Sequence, residues 1–140
     1  MNDLNTGPTP DSAELRSFIL EFNSAWNSHR FERAGEFYAE PFVHNGVRRD
    51  IASFHAQNIN LIGAFPDWHW KIEHVVVEGD LACVLYTITG THRGVYEGIE
   101  PTNRKFRTSE LAHYRIAAGR IVESWYLYDN ADLKRQLTRS

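Results

Sequence analysis

The stretch FPDWHWKIEHVVVEGD, from Phe65 to Asp80, decides the fold. On its N-terminal side Ile51, Phe54, Asn58, Leu61, Ile62 and Phe65 recur at helical spacing, and Pro66 ends that helix because its ring lacks an N–H and blocks the next turn. Beyond Pro66 the period becomes two. Trp68, Trp70 and Ile72 alternate with polar residues, and Val75 to Val77 continues extended until a turn at Gly79-Asp80. A chain that changes once from helical to strand period reads as helices followed by a sheet.

Toward the N-terminus, Asp11 and Glu14 form a capping-box pattern ahead of Leu15, Phe18, Ile19, Phe22 and Trp26, the apolar stripe of a long first helix. A shorter helix is predicted from Glu32 to Ala39, stopped by Pro41, with a brief strand from Phe42 to Asn45 before a turn at Gly46. Toward the C-terminus, Leu81 to Thr91 is rich in β-formers and Lys105 to Ile116 alternates. Ala118-Gly119 turns, Ile121 to Tyr128 returns, and Asn130 to Leu137 reads as a terminal helical turn or tail. Short connections favour antiparallel pairing. The prediction is one α+β domain over residues 11–140, with three N-terminal helices against one face of a curved antiparallel sheet. Residues 1–10, polar and carrying Gly7, Pro8 and Pro10, are expected to be a disordered lead-in.

Composition narrows the function. A net charge of −3 argues against nucleic acid as partner. Cys83 is the single cysteine, so neither an intrachain disulfide nor a thiolate zinc site is expected. His29, His55, His69 and His74 form no metal-ligand spacing with carboxylates, and no Gly-rich phosphate loop occurs, so neither metal nor cofactor is predicted. With no membrane-span-like run and no signal-peptide pattern, a cytoplasmic protein is expected. Aromatics reach 13%, enough for a core and also for an aromatic-lined cavity that takes a small hydrophobic ligand.

Several segments, in order, carry a resemblance. They are Phe37-Tyr38-Ala39 leading to His44, Phe65-Pro66-Asp67, Val77-Glu78-Gly79-Asp80, and Gly90-Thr91-His92-Arg93-Gly94 with Gly98 and Pro101-Thr102-Asn103-Arg104. Tyr114-Arg115-Ile116, Gly119-Arg120-Ile121-Val122-Glu123, Trp125, Asp129 and Gln136-Leu137 complete the set. Together they resemble the SnoaL-like, polyketide cyclase-like family of the nuclear-transport-factor-2-like superfamily. The resemblance implies a cone-shaped α+β barrel that forms homodimers or higher oligomers through the outer sheet face. It also implies cofactor-independent acid–base chemistry: relatives include cyclases that close a polyketide ring, and more distantly isomerases and dehydratases.

Carrying over the cyclase residues puts the family's catalytic His position at Ala112 and its Asp position at Tyr126; only a second Asp of that run is matched, by Asp129. The candidate catalytic groups are therefore Asp129, His92 and Tyr126, the last as a hydroxyl donor. Each has a structural alternative: His92 bonding its loop, Asp129 capping the tail helix, Tyr126 filling space. By alternation Ser124, Tyr126 and Tyr128 share the face that the resemblance makes the cavity wall. Phe22, Trp26 and Phe54 are placed on the helix side, and Tyr38, His44 and Tyr114 are counted with the pocket. His113 and Trp125 are expected to face outward, and Asp67 to organise its loop. Two functions stay open: an enzyme (cyclase, isomerase or dehydratase) on a polyketide- or terpenoid-like substrate, or a non-catalytic ligand-binding or oligomerisation domain.

Overall fold

A computed structural model describes residues 11–139, so the expected lead-in at 1–10 lies outside the described residues. Helix α1 spans Ser12–Asn27; the Asp11 carboxylate accepts from the Glu14 N–H at 2.8 Å, as the capping pattern requires. Its inward stripe, Leu15, Ile19, Phe22 and Trp26, is buried. Helix α2 covers only Phe31–Gly35 and α3 covers Ile51–Ala64. Between them run β1, Tyr38–His44, and the short β2, Val47–Arg49.

The helix expected from Glu32 to Ala39 stops at Gly35. The residues after Gly35 leave the helix because Phe37 already offers its carbonyl to the Ile121 N–H, and Tyr38 opens β1 beside Ile121. Long-range pairing overrides local propensity. Pro41 therefore sits within a strand rather than ending a helix. The ladder tolerates it because the register with the neighbouring strand shifts between Tyr38 and Val43, so no ladder N–H is needed there.

The rest of the sheet is β3 (His69–Glu78), β4 (Leu81–Thr91), β5 (Lys105–Ala117) and β6 (Arg120–Tyr128), followed by helix α4, Asn130–Thr138. The spatial order is β2-β1-β6-β5-β4-β3. From β3 to β6 every pairing is antiparallel, whereas β1 lies parallel to β6, so the six-stranded sheet is mixed. It does not close on itself: β2 and β3 are its free edges. Register irregularities in β3 between Ile72 and His74, and in the β5–β6 pairing at Arg115 and Ile116, supply the local twist that curves it.

Strand alternation sorts the side chains. Ala82, Val84, Tyr86 and Ile88 of β4 point inward, as do Phe106, Glu110, Ala112, Tyr114 and Ile116 of β5. Outside, Leu111, Trp125 and Leu127 are exposed and His113 is half-buried. Among the described residues, no helix is long and apolar enough to cross a membrane.

Candidate functional site

Between the inner sheet face and the helices lies a cavity of about 380 Å³, a size that takes a small organic ligand. Trp26 of α1, Trp68 just before β3 and Trp70 of β3 give it broad aromatic walls, with Phe54 and Leu61 from α3. Tyr86, Tyr114, Tyr126 and Tyr128 add hydroxyls from β4, β5 and β6. The exposed lining residues Asn45, Gln57, Asn60, Val95 and Glu97 form its open end.

The most telling lining group is Glu110. It is 5% exposed, and burial pushes its carboxyl up to about 8, so the acid is mostly protonated at neutral pH. Its cross-strand neighbours are Tyr86 on β4 and Tyr128 on β6. A carboxylic acid kept neutral in this way can donate a hydrogen bond or a proton.

His44, at the end of β1, also lines the cavity. Its Nδ1 lies 2.9 Å from the Ser124 hydroxyl, which leaves Nε2 for a ligand. Its pKa falls to about 4, through burial first and the nearby Arg49 charge second, so the ring is neutral at physiological pH. The ring centroid stands 5.0 Å from that of Tyr126.

Tyr126 belongs to a set of bonded hydroxyls. Its oxygen is 2.9 Å from that of Tyr38, and Tyr86 and Tyr114 are likewise 2.9 Å apart. Tyr114 and Tyr126 meet edge to face, with centroids 5.7 Å apart. Burial raises all four hydroxyls above the usual phenol range, so they stay protonated; in each pair one O–H is given to its partner and the other is left to donate. Donors that are already fixed need no reorganisation when negative charge develops on a ligand oxygen.

The structure sorts the sequence candidates. Trp26, His44, Phe54, Tyr114, Tyr126 and Tyr128 line the cavity. Phe22, Tyr38 and Ser124 stand behind the wall: Phe22 packs on Trp26, Tyr38 backs Tyr126, and Ser124 holds His44. His92 and Asp129 are not part of the lining. The His92 Nδ1 accepts from the Thr102 N–H at 3.2 Å and lies 3.0 Å from the Thr102 hydroxyl, which ties the β4–β5 loop together. The Asp129 carboxylate accepts from the Asp132 N–H at 2.9 Å and caps α4. Asp67 accepts from the N–H and hydroxyl of Thr91, fastening the approach to β3 onto the end of β4.

Sequence reading passed over Trp68, Trp70, Tyr86 and Glu110 as lining residues, and of these Glu110 is the one that brings an acid. The signal was present: in the alternating run Phe106, Thr108, Glu110, Ala112, Tyr114, Ile116 it is the charged residue in phase with the apolar ones.

The match to known proteins agrees with this architecture. The model of the SnoaL-like polyketide cyclase family matches residues 17–137. This chain belongs to that family. Solved structures of similar shape include AclR of Streptomyces galilaeus, a candidate hydroxylase, at 23% identity and TM-score 0.84, covering 93% of this chain and 84% of that one. IdmH of Streptomyces antibioticus, a candidate polyketide cyclase, shares 28% identity at TM-score 0.79, with 87% and 96% of the two chains covered. TsrD of Streptomyces laurentii shares 24% at TM-score 0.82, with 94% and 99% covered. No curated protein matches the chain. Within this SnoaL-like frame Ala112 and Tyr126 are direct cross-strand partners, so the small residue leaves room for the large ring. Glu110 puts a carboxyl two residues before Ala112 on the same face of β5.

Proposed function

We propose that the protein is a cofactor-independent acid–base enzyme, a cyclase, isomerase or dehydratase acting on a small hydrophobic polyketide- or terpenoid-like substrate. One observation carries this: Glu110, a neutral acid, and His44, a neutral base, line the same open cavity. Two groups whose surroundings push their pKa values apart are suited to opposite roles. In the proposed step the His44 imidazole takes a proton from carbon next to a substrate carbonyl. The C–H electrons move into an enolate, whose oxygen is held by Glu110 and the tyrosine hydroxyls. Return of a proton at another carbon isomerises the substrate. Attack of the enolate carbon on a second carbonyl closes a ring, opening that C=O to an alkoxide that takes the proton back from the His44 ring.

IdmH, at 28% identity, is a candidate polyketide cyclase, which supports the same chemistry. The open volume beside Tyr126 argues against the competing reading of a filled, non-catalytic domain. Exposed Leu111, Trp125 and Leu127 support a homo-oligomer through the outer sheet face.

The working pH window lies between the His44 value of about 4 and the Glu110 value of about 8. The test is turnover of a panel of fused-ring polyketide ketones by wild type and Glu110→Gln across that range. The expected result is a bell-shaped profile and a fall of roughly 100- to 1000-fold in the variant. Unchanged turnover in Glu110→Gln would remove Glu110 from the mechanism, and no consumption by wild type would sink the enzymatic reading.

A further inference from the structure

We infer that Asn45 is a positioning residue that locks His44 and Tyr126 into one frame, an inference that rests on the acid–base reading of the site. His44 ends β1 and Tyr126 belongs to β6, so the base and the tyrosine ring against it come from two strands that meet in parallel. That pairing is thin. Its register shifts between Tyr38 and Val43, and beside the cavity it consists of Val43 with Glu123 and His44 with Ser124.

Asn45 stands where this ladder would stop. Its backbone enters the left-handed region at φ +50°, which carries the chain away into the turn before β2. In a regular parallel ladder the residue after His44 would give its N–H to Ser124 and take the Tyr126 N–H on its own backbone carbonyl. Asn45 makes the first of these bonds in the ordinary way, N–H to the Ser124 carbonyl at 2.9 Å. Its side chain makes the second. The Oδ1 atom accepts from the Tyr126 N–H at 2.8 Å, and Nδ2 donates toward the Tyr126 carbonyl at 3.4 Å. A side-chain amide thus replaces the peptide group that the turn removes, and the ladder runs one residue further than the strand.

The two rings are already held at their polar ends, His44 by the Ser124 hydroxyl and Tyr126 by the Tyr38 hydroxyl, each at 2.9 Å. Asn45 ties them at the backbone as well, next to His44 in the chain and bonded to Tyr126 across the ladder, with the ring centroids 5.0 Å apart. Although Asn45 borders the mouth of the cavity, both its polar side-chain atoms are engaged by β6, so it acts through its neighbours. Few residue types can do this. The position needs a positive φ together with a short side-chain acceptor; asparagine and aspartate supply both, glycine the first alone, and alanine neither.

The test compares the whole protein with its Asn45→Gly and Asn45→Asp variants at pH 7. Glycine keeps the turn free of strain and removes the acceptor, whereas aspartate keeps both. Hydrogen exchange at the Tyr126 N–H and the NMR signals of the His44 ring are read first, then turnover of the fused-ring ketones. In Asn45→Gly the Tyr126 N–H is expected to exchange about tenfold faster or more, and the His44 signals to shift. Its kcat should fall roughly 10- to 100-fold while KM stays within about twofold. Asn45→Asp should stay close to wild type in every readout. A glycine variant with wild-type exchange and wild-type kcat would overturn the inference, because the position would then need only its φ. So would equal losses in both variants, or a rise in KM alone, which would make Asn45 a ligand contact. If exchange and ring signals change as expected while wild type consumes no ketone, the enzymatic reading alone fails. If wild type turns over ketones and Asn45→Gly matches it, this inference alone fails.

Discussion

His92 and Glu110 invite comparison, since both are polar, both are almost wholly buried, and both belong to the β4–β5 hairpin. His92 follows the last residue of β4 and has a local partner: Thr102 bonds its ring, while its own backbone N–H and C=O meet Arg104 and Asn103. The other ring nitrogen, Nε2, is buried without a partner among the described residues, with the Phe65 ring centroid 5.5 Å from that of the imidazole. Glu110 borders open space and keeps its proton because the cost of burying its charge outweighs the help of the Trp70 indole. Burial alone does not separate structure from chemistry. The difference lies in whether the buried group can meet a ligand.

Four substitutions break or sharpen that contrast. The largest effect belongs to Glu110→Gln, which should lose nearly all turnover yet gain stability. Below about pH 4.5 the carboxyl is protonated in both folded and unfolded chains and contributes nothing. As pH rises toward 8 the unfolded chain ionises first, so the wild type loses stability across that window and levels off above it. Every tenfold difference in proton affinity between the two chains corresponds to about 1.4 kcal/mol. Urea melts at pH 5 and pH 8 should show the advantage of the glutamine variant growing with pH; a constant gap would mean that Glu110 is not buried as described.

His92→Ala should behave in the opposite way. Losing a buried ring and its Thr102 bonds costs about 2–4 kcal/mol, while turnover per folded molecule stays at the wild-type level. A selective loss of turnover would move His92 into the mechanism. Gly94→Ala comes next. A Cβ there collides with the Gly63 carbonyl, and Gly90 has a similar limit, with Phe106 Cε1 2.7 Å from the added atom. Overpacking of this kind costs about 1–3 kcal/mol, measurable as a lowered urea midpoint. The smallest effect is expected of Asp129→Ala, which removes the α4 cap for about 1 kcal/mol and should leave turnover untouched.

Much of the fold was legible because local signals agreed. The period change at Pro66, the Asp11 cap and the Ala118-Gly119 turn each rest on neighbouring residues. What escaped was non-local. The run from Phe37 to Ala39 resembles helix until Ile121 pairs with it, and no spacing reveals that β1 joins β6 in parallel across some 80 intervening residues. The site divides along the same line. Tyr126 and Tyr128 were visible by alternation from Ser124. Asp129 and His92 drew attention through family position, although their side chains have local work. Glu110 needed only the question of which residue in an inward row carries charge.

The end of α3 is tied to a part of the chain far from it in sequence. Its Ala64 carbonyl accepts from both the Arg93 and the Gly94 N–H, donors that lie beyond β4. A helix end left with free carbonyls frays in water. The last turn of α3 is therefore completed from outside, by the loop that follows β4. That turn carries Leu61, so this stretch of the cavity wall is held by a distant part of the chain as well as by its own helix.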